Sequence, residues 1–156
     1  MSSAMSTPEE RLSELGLSIP EVPKAVASYL PAVRSGDHLF LSGQLPWLDG
    51  ALVATGKVGG EVSAEEAAGC ARHCALNAIA VLRAETGELS QVKRIVKVVV
   101  FVASTPDFTG QPVVANGASD LFADVFGEAG RHARSAVGVT VLPLDTPVEV
   151  ELVVEV

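Results

Sequence analysis

Residues 92–102 read Val-Lys-Arg-Ile-Val-Lys-Val-Val-Val-Phe-Val, and beyond Lys97 the run is apolar at odd and even positions alike. A strand with one face in water alternates apolar and polar residues, whereas one covered on both faces does not. The β-branched content favours strand over helix. A chain carrying this segment must therefore build a sheet around it and cover both of its faces. With 156 residues there is material for one domain.

The remaining elements follow from caps and periodicity. Thr7-Pro8-Glu9-Glu10 opens a short helix that Gly16 closes, and Pro20, Pro23 and Pro31 favour an extended connector after it. Residues 1–26 thus form an N-terminal helix and connector arm on the surface of a main domain spanning residues 27–156. Ser35-Gly36-Asp37 is the turn of a first hairpin between 32–34 and 38–42. Residues 43–62 hold five glycines and read as a loop, with room for a short strand at 51–53. Ser63-Ala64-Glu65-Glu66 starts a helix whose apolar positions 67, 71, 74, 75, 78, 79 and 82 recur at helical spacing up to Gly87. A second long helix ends at Phe126 before Gly127, and two strands, 134–142 and 148–156, end the chain. The order β-β-(β)-α-β-α-β-β predicts an α+β fold, a mixed sheet with two helices on one face and the other face bare in a monomer.

The composition narrows the function. Eleven Lys and Arg against 19 Asp and Glu give a net charge of −8, a field that repels phosphate backbones, so nucleic acid is not an expected partner. No run approaches the roughly 20 apolar residues of a membrane span, and Met1 to Thr7 lack the pattern of a secretory signal. A cytoplasmic location is expected. Cys70 and Cys74 are four apart on the predicted helix, poorly placed for a disulfide. With His73 they supply no second ligand pair for zinc, so both read as core residues. No zinc site is expected.

Most single residues have a bland reading. Arg134, at the start of a late strand, and Glu149, in Val148-Glu149-Val150-Glu151, are each more simply solvated strand residues. Ala136 and Gly138, on the same face as Arg134, leave room beside it. His38, His73 and His132 are scattered and make no recognisable triad.

Taken together and in order, Ser42-Gly43-Gln44-Leu45-Pro46, Ala133-Arg134-Ser135-Ala136-Val137 and Val148-Glu149-Val150-Glu151 resemble the RidA/YjgF family of reactive-intermediate deaminases. The resemblance implies a chorismate-mutase-like fold and a homotrimer with ligand clefts between subunits. It also implies hydrolysis of 2-imino or enamine acids to 2-keto acids and ammonia, without a cofactor. In such an enzyme Arg134 grips the substrate carboxylate and Glu149 handles the attacking water. Tyr29, Ser42, Gly43, Asn116 and Ala136 match lining positions; Ala136 stands where many relatives have Cys, and Ser119 replaces an aromatic found in some. A non-catalytic trimer holding a small carboxylate is the alternative, and ribonuclease activity the less favoured one. A two-residue turn at Asp145-Thr146 would pair the last two strands, placing Glu149 opposite Leu142 on Arg134's face, eight residues and about 26 Å away along the strand. One site using both residues would then need two subunits.

Overall fold

The computed structural model describes residues 5–24 and 28–156; the proposed boundary between residues 26 and 27 lies outside them. Helix α1 (Pro8–Glu14) begins with a reciprocal cap between Thr7 and Glu10. It is clamped to the domain rather than trailing from it: Leu12 is buried, Arg11 Nη1 donates to Val125 O at 3.1 Å, and Glu9 pairs with Arg83 at 3.7 Å. Strands β1 (Ala32–Ser35) and β2 (His38–Leu41) form the expected hairpin, with Gly36 at φ 60°. Within the glycine-rich stretch, β3 (Trp47–Leu48) and β4 (Ala51–Leu52) pair across Asp49-Gly50. Both turn residues have positive φ, as a tight hairpin turn requires.

Helix α2 (Ala64–Thr86) starts where Ser63 Oγ accepts the Glu66 amide at 3.1 Å and stops at Gly87, φ 81°. Its buried face is mostly small, with Ala67, Cys70, Ala71, Cys74, Ala75 and Ala78 fully enclosed. Helix α3 (Gln111–Phe126) uses that face to approach closely. A Cβ on its Gly117 would overlap the carbonyl of Ala68.

The remaining strands are β5 (Arg94–Ala103), β6 (Ala133–Val139) and β7 (Val148–Glu155), and the five-stranded sheet runs β1-β2-β7-β5-β6. Strand β5 lies inside the sheet, parallel to β6 and antiparallel to β7. Both long helices cover one face, onto which Val98, Val100, Val102, Val148, Val150 and Leu152 project and are buried. The other face carries Val33, Phe40 and Val137, each 42% exposed or more.

The expected hairpin between the last two strands is absent. The chain returns from α3 as β6, the parallel neighbour that a helical crossover from β5 produces. It then crosses the end of β5 through a short turn at Pro143–Asp145, where Leu144 and Asp145 both take positive φ. Strand β7 enters between β2 and β5, so Glu149 lies opposite Phe101 of β5 and not opposite Leu142.

Candidate active site

That topology separates the residues singled out above into two sets. Arg134 is in register with Val98, so it points to the helix-covered face, where α3 receives it. Its Nη1 donates to Asn116 Oδ1 at 2.7 Å and Ser119 Oγ at 3.1 Å, and Nη2 donates to Pro112 O at 3.4 Å. The space that small neighbours were expected to leave beside Arg134 is therefore partly filled by α3. Among the described residues three of five guanidinium hydrogens are engaged, and the Nε–H and one Nη2–H have no partner. Nε and Nη2 share one edge of the planar group, the edge from which a guanidinium grips a carboxylate through two parallel hydrogen bonds. Ala136, two residues on, packs against the core and contributes no polar side-chain group.

Glu149 is in register with Phe101 and points to the opposite face. It is half-buried; burial first, and the charge of Glu151 second, raise its pKa above the 4.5 of a free glutamate. Such a carboxylate is a better base once ionised. Gly43 lies directly against it, and a Cβ there would overlap Glu149 Oε1. Ser42 Oγ donates to Leu30 O at 2.6 Å and Ser42 N to Pro31 O at 2.9 Å, tying the segment that carries Tyr29 to the end of β2. Tyr29 and Gly43 share a small cleft of about 40 Å³. Tyr29, Ser42, Gly43 and Glu149 thus form one set, and Asn116, Arg134 and Ala136 the other.

Three residues along β5 and two strand spacings separate the registers of Arg134 and Glu149. That is about 14 Å between Cα atoms, on opposite faces. The same-face placement and the 26 Å separation inferred from the hairpin are both corrected, yet the consequence stands: one chain does not bring the two side chains together.

Two residues that sequence reasoning passed over belong to the Arg134 set. His132 Nδ1 lies 2.7 Å from Gly130 O, and since a carbonyl only accepts, Nδ1 carries the proton. In the neutral ring Nε2 is then an acceptor, and Ser119 Oγ donates to it at 2.8 Å. Burial lowers the pKa of His132, the Gly130 carbonyl opposes that, and the Arg134 charge lowers it again. The result is a continuous chain from Arg134 through Ser119 and His132 to Gly130. It borders an open cleft of about 300 Å³.

A wider cleft, about 540 Å³, lies between the Pro20–Lys24 arm, Trp47–Gly50 and α2. It shares Pro23, Lys24 and Trp47 with the Tyr29 cleft but contains neither Arg134 nor Glu149. Cys70 and Cys74 are free and fully enclosed, and burial pushes the Cys70 thiol up to about 11 and Cys74 in the same direction. Both stay as thiols, which suits core packing and not metal ligation. Among the described residues no three His, Cys, Asp or Glu side chains gather as a metal site, and no helix is long and apolar enough to cross a membrane.

Comparison with known proteins gives concordant results. The family described as "YjgF/chorismate_mutase-like, putative endoribonuclease" matches residues 9–156, which takes in α1 from its second residue. Protein TCP17 of Trypanosoma cruzi is 47% identical over 145 residues, covering 92% of this chain and 91% of that one. A 2-iminobutanoate/2-iminopropanoate deaminase of Dermatophagoides farinae is 32% identical, covering 88% and 93%. Among solved structures, one described as a "putative endoribonuclease" from Shewanella oneidensis superimposes with a TM-score of 0.95 at 38% identity, covering 97% and 100%.

Proposed function

Because the chain belongs to the YjgF/chorismate-mutase-like family, we propose that it hydrolyses reactive 2-imino acids and their enamine forms to 2-keto acids and ammonia. The observation that carries this reading is the Nε/Nη2 edge of Arg134, presented by a guanidinium that Asn116, Ser119 and Pro112 of α3 hold in place. Such a fork fixes a carboxylate in one plane and so orients the adjacent imine carbon. Glu149 takes a proton from water as its oxygen bonds to that carbon. Glu149 returns that proton to the imine nitrogen to give a carbinolamine, then relays the carbinolamine hydroxyl proton to the same nitrogen as the C–N bond breaks, so that ammonia leaves with the 2-keto acid.

The active assembly is a homotrimer in which the Arg134 set of one subunit meets the Glu149 set of its neighbour. Two features support it: the opposite faces of the two residues, and the exposed apolar side chains Val33, Phe40 and Val137 on the sheet face that no helix covers. The likeness to a 2-iminobutanoate/2-iminopropanoate deaminase at 32% identity supports the reaction. A net charge of −8 argues against RNA as substrate. Freshly generated 2-iminopropanoate should release ammonia and the keto acid faster with the protein than in buffer. Saturable binding of the keto acid with no acceleration would instead identify a carboxylate-binding trimer without turnover.

A further inference from the structure

The chain Arg134, Ser119, His132, Gly130 has the parts of an activated nucleophile: a hydroxyl, a ring nitrogen accepting its proton, and a third group fixing the ring. We propose that Ser119 is a nucleophile activated by His132, and that the cleft above it hydrolyses small acyl esters bearing a carboxylate, such as half-esters of short dicarboxylic acids.

The geometry assigns each part. Ser119 Oγ is 2.8 Å from His132 Nε2, the distance and direction needed for general-base removal of its proton. Gly130 O, 2.7 Å from Nδ1, holds the tautomer that leaves Nε2 unprotonated, as the carboxylate does in a Ser-His-Asp triad. Phe122 meets the imidazole edge-on, with ring centroids 6.0 Å apart, and restricts its tilt. Burial keeps His132 below the 6.5 of a free histidine, so it is neutral at pH 7 and available as a base. Arg134 Nη1, 3.1 Å from Oγ, places a permanent positive charge beside the developing alkoxide. The open cleft is lined by Ser119, His132 and Arg134 together, so the hydroxyl, its base and the anion-binding fork face one space.

In the reaction the Ser119 proton moves to His132 Nε2 while Oγ bonds to the acyl carbon. The bond from that carbon to the alcohol oxygen breaks, and the imidazolium returns the proton to the departing alcohol. Water then attacks the acyl-serine, giving its proton to Nε2, and Ser119 recovers it as the acid leaves. The sum is ester plus water to acid plus alcohol, with no co-reactant. The Nε/Nη2 edge of Arg134 holds the distal carboxylate. This activity does not depend on imine hydrolysis, and ammonia release does not report on it.

The test uses 4-nitrophenyl hydrogen succinate, with 4-nitrophenyl acetate as the uncharged comparison. The full chain should give a burst of nitrophenolate and, by peptide mapping, an acyl group on Ser119. The half-ester should acylate at least about tenfold faster than the acetate, as a charge-assisted fork contact implies. His132→Gln, with folding checked by its thermal melt, should slow acylation about a hundredfold or more, the usual contribution of a general base. The unmodified chain, whose folding is not in question, decides first: acylation confined to lysines overturns the nucleophile. An equal rate in folded His132→Gln overturns its activation, and equal rates for the two esters overturn the substrate class.

Discussion

Replacing Arg134 tests the carboxylate anchor with a magnitude that follows from its hydrogen bonds. Asn116, Ser119 and Pro112 take three guanidinium hydrogens, leaving two for substrate. Each hydrogen bond to a charged group contributes about 1.5–3 kcal/mol. Losing both in Arg134→Ala therefore costs about 3–6 kcal/mol, or roughly 10² to 10⁴ in kcat/KM. Arg134→Lys keeps the charge, but an ammonium cannot present two coplanar donors while also reaching α3, so one bond is lost, roughly a 10- to 200-fold drop. The fold should survive both changes, because Arg134 lies on an edge strand and Ser119 retains His132 as a partner. The assay is ammonia release from freshly generated 2-iminopropanoate, with unfolding followed in urea alongside. An Arg134→Lys protein within threefold of the parent, with its fold intact, would refute the fork.

Other substitutions separate site from scaffold. In Gly43→Ala the new Cβ meets the flexible end of Glu149 first, so the carboxylate moves aside: kcat/KM should fall at least about tenfold while the urea midpoint barely shifts. The acid limb of the kcat/KM profile should lie above pH 4.5, since burial and Glu151 raise Glu149 and its ionised form is the base; a limb at or below that value would exclude it. A carboxylate with a raised folded-state pKa stabilises the fold at low pH and loses that contribution as pH rises through the folded value. Glu149→Gln should accordingly lose activity yet raise Tm at pH 7, and a lowered Tm would contradict the burial. Gly117→Ala puts a methyl group onto the carbonyl of Ala68 in α2, backbone that cannot swing away, and should destabilise by about 1–3 kcal/mol in urea unfolding.

What could be read from the residues was largely local. Thr7 with Glu10, Ser63 with Glu66, and the glycines at 16, 87 and 127 mark helix ends through contacts within a few residues, and each end lies where those signals place it. Strand β5 declared its place inside the sheet through its composition, and its helix-side face is the buried one. The error lay in connectivity. Residues 140–147 look like a hairpin turn when only the flanking strands are considered, but strand-helix-strand from β5 through α3 to β6 calls for a parallel return. That return puts β6 at the edge and leaves β7 to pair on the other side of β5. Asp49-Gly50 was a legible turn signal hidden among other glycines. His132 and Ser119 are 13 positions apart and carry no mutual spacing rule. They meet because α3 ends at Gly127 and the chain folds back through Gly130, whose missing side chain clears the carbonyl of Phe122.

Whether Arg134 and Glu149 act together from different subunits is measured directly by mixing two inactive proteins. Arg134→Ala and Glu149→Ala chains, equilibrated until native mass spectrometry shows mixed oligomers, should regain activity toward 2-iminopropanoate. With random exchange in a three-fold ring, about a quarter of the clefts pair an intact Arg134 with an intact Glu149, so about a quarter of the parent activity should return. Mixed oligomers with no activity above that of either variant would contradict it.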